Sequence, residues 1–180
     1  MENSQKNLIP ILIILIVVIF GGIYLFLNYS TPEPTVEVPT SNTYRNDKDG
    51  FAGVLPESWR GYQTTESQGD IYDVGGVRSP YIVGHFPLIK IAHPLSTKEN
   101  PRQDIPVMVF TVEQWAHVGS QTSSDQWSVG AAPIPPSLLG QNSNYVFALP
   151  ARYNYAFLAG YEEVQKILDS HPLTVFEPTK

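Results

Sequence analysis

The chain contains no cysteine. That excludes disulfides, zinc–thiolate centres and thiol nucleophiles. A domain of this chain in an oxidising compartment is therefore held together by packing alone. Charge is scarce as well. Asp, Glu, Lys and Arg make up 16% of the 180 residues, against roughly a quarter in an ordinary globular domain. The balance is acidic, with a formal net charge of −6. Only Glu2 and Lys6 precede residue 30, so the remainder carries the same net charge. With no basic stripe and an acidic surface, nucleic acid and anionic lipid are poor partners. Catalytic signatures are missing too: there is no GxSxG, no HExxH, no P-loop and no GxGxxG. No cofactor is expected.

What is present is a long apolar run. No charged residue occurs between Lys6 and Glu33, and sixteen of the twenty residues from Leu8 to Leu27 are Ile, Leu, Val or Phe. As a helix at ~1.5 Å per residue this stretch spans roughly 30 Å, the thickness of a bilayer core. Its aliphatic and Phe residues supply roughly −5 to −10 kcal/mol of insertion free energy before small penalties from Pro10, Gly21, Gly22 and Tyr24. It has no polar face, as a helix of a soluble protein would. Residues 8–27 are expected to cross the lipid bilayer as one transmembrane helix. No small-x-small cleavage site follows, so the segment reads as an uncleaved signal anchor. Lys6 and the amino terminus lie on one side, and Glu33 and Glu37 are the first charges on the other. The positive-inside rule then places residues 1–7 in the cytoplasm and everything after the helix outside it.

Residues 28–43 form a Pro-rich linker. Pro32, Pro34 and Pro39 favour an extended path, and at ~3.1 Å per residue the spacer holds a domain roughly 30–40 Å off the membrane. Residues 44–180 form the exterior domain, long enough for a sizeable core. Asn46–Gly50 is a turn cluster. Phe51–Leu55 is strand-like and Trp59 a core plug, while polar, Gly-rich 61–79 reads as a hairpin or loop. Tyr81–Val83 and Leu88–Ile91 are strand-like on either side of Pro87. Ile105–Thr111 and Tyr145–Leu149 are short apolar runs rich in β-formers. Glu113–Val118 is expected to make one or two helical turns. Tyr161–Ser170 is amphipathic, with Tyr161, Val164, Ile167 and Leu168 on one face. Pro172 ends that helix and Leu173–Phe176 follows as a last strand. The fold class is α+β: an antiparallel sheet flanked by helices.

The segment Tyr44-Arg45-Asn46 … Gly50-Phe51 … Leu55-Pro56 … Trp59 resembles the opening of PsbP-like domains, and the helix and strand near the C-terminus resemble their close. Asp104–Trp115 together with Tyr145–Tyr155 is also similar to a group of small membrane-anchored bacterial proteins of unassigned function. The PsbP-like resemblance implies a central antiparallel sheet with helices on both faces, an α/β/α sandwich that binds or assembles rather than catalyses. It carries over Tyr44, Phe51, Pro56 and Trp59 as fold-forming positions only.

Two sets of side chains stand out chemically. His85 and His93 flank a strand. His93, Glu113 and His117 are the candidates for a metal, since Glu113 and His117 at i,i+4 share a helix face. The same spacing serves an exposed pair with no function. The second set is aromatic: Trp115, Trp127, Tyr153, Tyr155 and Phe157 are the candidates for a ligand-binding groove, because rings with polar tips favour binding surfaces. Ser120, Ser123 and Ser124 read as loop residues, and Arg102 with Asp104 as a local salt bridge. Two functions remain open. One is a single-pass, membrane-anchored, non-catalytic binding or scaffolding domain outside the cytoplasm, its partner an envelope protein or a small ligand. The other is a cell-envelope enzyme using a His/carboxylate site on glycans or peptides.

Overall fold

Nine strands and two α-helices were located in a computed structural model that describes residues 42–75, 80–118, 127–129 and 134–179. The expected membrane helix 8–27, most of the linker and Ser120, Ser123 and Ser124 lie outside the described residues. Among the described residues, no helix is long and apolar enough to cross a membrane. All of them fall in one compact unit.

The strands are β1 (Thr43–Asn46), β2 (Phe51–Val54), β3 (Gln63–Asp73), β4 (Tyr81–Ala92), β5 (Ile105–Thr111), β6 (Trp127–Ser128), β7 (Ser137–Gln141), β8 (Tyr145–Leu149) and β9 (Leu173–Val175). The helices are α1 (Val112–Val118) and α2 (Tyr161–Asp169), and Glu57–Trp59 makes a single 3₁₀ turn. A six-stranded sheet runs β6-β3-β4-β5-β8-β7 and a three-stranded sheet runs β1-β2-β9. All strand pairs within these sheets are antiparallel.

β5 shows why the apolar runs sit where they do. Ile105, Val107 and Val109 join one core, and Met108 and Phe110 join another. A strand buried on both faces needs apolar residues at every position, which is why its sequence does not alternate. β8 repeats the pattern, with Phe147 and Leu149 in the first core and Val146 and Ala148 in the second. Val164, Ile167 and Leu168 of α2 close the first core, together with Phe51, Leu55 and Trp59. Val118 and Trp115 of α1 close the second. The two helices thus cover opposite faces of β5.

Several local expectations hold. Trp59 is fully buried, and the runs at β5 and β8 match their expected bounds. Others need correction. Within 61–79, read as a hairpin or loop, residues 63–73 form one eleven-residue strand that pairs with β4. Its first six side chains are all exposed, so it shows no period-two pattern. Pro87 does not divide β4, which pairs with β3 from Tyr81 to Ala92. The ladder between β4 and β5 starts only at Leu88, immediately after the residue that has no N–H to donate. β7 falls in a stretch rich in Gly, Ser, Asn and Pro where no strand was expected, and β9 ends at Val175, one residue before its expected end. Asp104 makes its ion pair with Lys90, at 3.5 Å, rather than with Arg102.

Candidate functional site

The β3–β4 hairpin builds a concavity. Gly69 of β3 stands opposite Phe86 of β4, and a Cβ at Gly69 would lie 2.3 Å from the Phe86 ring. Glycine there lets the ring fold over its neighbour strand, where it packs against Phe110 at 4.9 Å. A lone glycine within a strand commonly marks such a close approach. Beside that ring opens a groove of about 560 Å³ walled by Tyr72, Val74, Leu88, Met108, Val129 and Pro150, with Gly69, Asp70, Pro80 and Phe86 completing it. Its size lies within the ~300–1,000 Å³ of small-ligand sites, and a mostly apolar wall with a few polar groups is their usual character.

The polar groups come from adjacent strand positions. Asp70 and His85 are cross-strand partners. The Asp70 carboxylate accepts a hydrogen bond from His85 Nδ1 at 2.8 Å and another from the Tyr72 hydroxyl at 3.3 Å. A carboxylate can only accept, so the Nδ1–H tautomer is fixed, leaving Nε2 to act as acceptor in the neutral ring. The negative charge of Asp70 raises the Tyr72 phenol above its ordinary value. Nearby, the Tyr81 hydroxyl donates to Asp73 at 3.0 Å. A second hollow of about 470 Å³ lies against Glu66, Ser67, Gln68, His85, Phe86 and Pro87. Asp70 therefore touches the groove, while the imidazole it orients lines the smaller hollow.

The five aromatic candidates do not form one site. Trp115 and Trp127 pack against the second core, where Trp127 stacks on His117 at 4.3 Å and Trp115 meets Phe110 at 5.8 Å. Tyr153 packs against the first core and donates its hydroxyl to Gln165. Tyr155 and Phe157 project into solvent, with Phe157 resting edge-on against Tyr161 at 5.2 Å.

The metal candidates are separated as well. His93 is buried beside Trp59, ring centroids 5.3 Å apart, in the region of the first core. Its Nδ1 accepts the Leu95 N–H at 3.1 Å. Glu113 and His117 belong to α1, over the second core. Among the described residues, no three His, Asp or Glu side chains form a group able to hold a metal ion.

The groove was hidden from sequence reasoning because the register of β3 on β4 shows no hydrophobic pattern and because Met108, Val129 and Pro150 reach it from distant sequence positions. The sequence points to no residue of the groove itself, only to His85 of the smaller hollow, through its spacing to His93. The signal that was present is Gly69, an isolated glycine amid polar residues of strand-forming length. Comparison of the chain with protein-family models, curated proteins and solved structures finds no match.

Proposed function

We propose that this chain is a single-pass membrane protein whose exterior domain binds a ligand with an apolar body in the groove beside Phe86. The observation that carries the reading is the groove itself: about 560 Å³, walled by Tyr72, Val74, Leu88, Met108 and Val129, with Asp70 as its charged group. The apolar run 8–27 supports the anchor. Lys6 on one flank, with Glu33 and Glu37 the first charges on the other, supports a cytoplasmic N-terminus and an exterior domain. The α+β architecture, with an antiparallel sheet and a helix over each face of β5, supports the finer assignment as a PsbP-like α/β/α sandwich. Binding or scaffolding is what that resemblance implies. The partner is a small ligand or an extended segment of an envelope protein.

A panel of acyl compounds, glycans, peptides and divalent metals, screened by thermal shift on the full chain in detergent, tests this. A ligand that binds only the native state raises the midpoint with its occupancy. The expected result is a shift with an apolar ligand that is lost in Val74→Arg, a partly exposed groove position. Shifts unaffected by Val74→Arg contradict the assignment of the groove.

The Asp70–His85 pair favours a second reading, a cell-envelope enzyme acting on glycans or peptides. A carboxylate that fixes an imidazole tautomer is the usual way to orient a general base. That reading requires turnover that His85→Ala abolishes while the fold is retained.

A further inference from the structure

β3 lies one place from the end of the six-stranded sheet, yet most of its outer edge has no neighbour. The strand runs eleven residues, Gln63–Asp73. On its inner side it pairs with β4 from end to end. On its outer side β6 pairs only with Tyr72 and Asp73. Among the described residues, no other backbone hydrogen bond reaches the outer side of Gln63 to Ile71. In an antiparallel ladder every second residue turns its N–H and C=O away from the partner strand. That row is open here, and Gln63–Gln68 are all exposed. Folded proteins usually block such an edge with Pro, Lys or a bulge. This stretch holds no Pro and no Lys, and its register shift comes only at Ile71/Tyr72. The opposite edge differs: β7 has five residues, and a Cβ at Gly140 would lie 2.6 Å from Val175 of β9.

The two faces beside the open edge are unlike in chemistry. Successive side chains of a strand alternate between faces. Gly69 and Ile71 lie on the face of the second core, where Phe86 and Leu88 stand opposite Gly69 and Ser67 and the groove opens. Glu66 and Asp70 lie on the other face. Lys48 answers Glu66 at 3.2 Å. Asp70 is bonded by His85 and Tyr72, and among the described residues it has no Lys or Arg partner. A strand laid along this edge therefore meets an apolar wall on one face and a carboxylate on the other.

We infer that the outer edge of β3 is a docking site for an extended peptide strand of a protein partner, one in which apolar side chains alternate with basic ones. Main-chain hydrogen bonds hold such a strand, and pockets for alternate side chains select it. Its apolar side chains enter the groove beside Phe86, and its bases face Asp70 and Glu66. A second copy of β3 is a poor occupant, since it brings two carboxylates of its own to this face and no base. The inference rests on the groove reading above for the apolar side chains, whereas the backbone pairing is independent of it.

The probe is a seven-residue peptide of alternating Lys and Val, added to the full chain in neutral detergent. The readout is hydrogen exchange along β3. Alternate amides from Gln63 to Ile71 are expected to exchange fast in the free protein and to become protected as the peptide saturates. Glu66→Gln combined with Asp70→Asn should weaken binding by roughly 5–30-fold, as two exposed charge pairs would. No binding, or binding that leaves β3 unprotected, overturns the inference. Amides already protected in the free protein overturn it too, and protection lost on dilution assigns the edge to a second copy. The apolar-ligand screen separates the two readings. A midpoint shift lost in Val74→Arg, with β3 unprotected by the peptide, removes the edge and leaves the groove. Protection of β3 by the peptide, with no shift from any apolar ligand, removes the groove and leaves the edge.

Discussion

Single side chains decide much of the stability here, and Asn142 is the clearest case. It is buried, and its amide donates to Asp49 O at 2.8 Å and Phe176 O at 3.0 Å. Its carbonyl accepts from Tyr145 N at 2.8 Å and Asn144 N at 3.0 Å. One amide thus joins the β1–β2 turn, the start of β8 and the segment after β9. Asn142→Ala strands several of these partners, and each buried unsatisfied group costs about 1–3 kcal/mol. We expect a loss of roughly 2–4 kcal/mol by denaturant unfolding, the partners being only partly buried. A loss under about 1 kcal/mol would mean that water replaces the amide. The two donated bonds are not legible in the sequence, because those partners lie 93 and 34 residues away, whereas the two accepted bonds are local.

His93 gives a pH dependence. Desolvation by burial, with Arg102 nearby, holds its pKa below the ordinary histidine value. The unfolded chain therefore binds this proton more readily than the native protein does. Stability is fully present above the unfolded value of about 6.5 and is lost as pH falls through the lower native value. His93→Asn, which keeps an acceptor for Leu95 N–H, should flatten the unfolding free energy between about pH 6.5 and 5. An unchanged slope would assign the acid sensitivity to other groups.

At the scale of elements, the junction between β5 and α1 was partly readable. Thr111-Val112-Glu113-Gln114 is a capping box. Gln114 N–H donates to Thr111 Oγ1 at 3.1 Å, and Thr111 N–H donates to Gln114 Oε1 at 3.0 Å. Two N–H groups that a helix start leaves without partners are satisfied reciprocally. The expected helix began at Glu113, one residue late. The further contact from Gln114 Nε2 to His85 O, 2.9 Å, needs the fold to appear. It supplies a donor to β4 where the pairing with β5 has ended. Gln114→Ala should cost about 1–2 kcal/mol, and Thr111→Ala about 1 kcal/mol. The double variant should lose less than the sum, because both changes remove the same pair. Strict additivity in urea unfolding would dissolve the box as a unit. β3 teaches the opposite lesson. Its exposed half lies beyond both cores, and hydrophobic periodicity records burial rather than backbone pairing.

For the whole molecule, an apolar run at residues 8–27 precedes the described residues in the sequence, and these supply a double-sided sheet with a groove on its β3–β4 hairpin. The central strands were readable because both faces are buried. The groove was not, because Gly69, Phe86, Met108 and Pro150 meet only after the strands register. Gly69→Ala should lower the unfolding midpoint and displace the Phe86 ring that walls the groove, since the added Cβ has 2.3 Å where no carbon fits. Overpacking of this kind typically costs about 1–3 kcal/mol. An Ala variant of native stability with unchanged aromatic resonances would contradict the close packing.

The most direct test of the central claim uses the two methionines of the chain, Met1 and Met108. Met108 is 2% exposed and lines the groove, so a ¹³C-methyl methionine spectrum of the full chain contains one terminal signal and one from the site. Titrating the apolar ligand that raises the unfolding midpoint should move the Met108 methyl saturably, and Val74→Arg should abolish the movement. A ligand that raises the midpoint while the Met108 methyl stays fixed would place binding elsewhere and contradict the account.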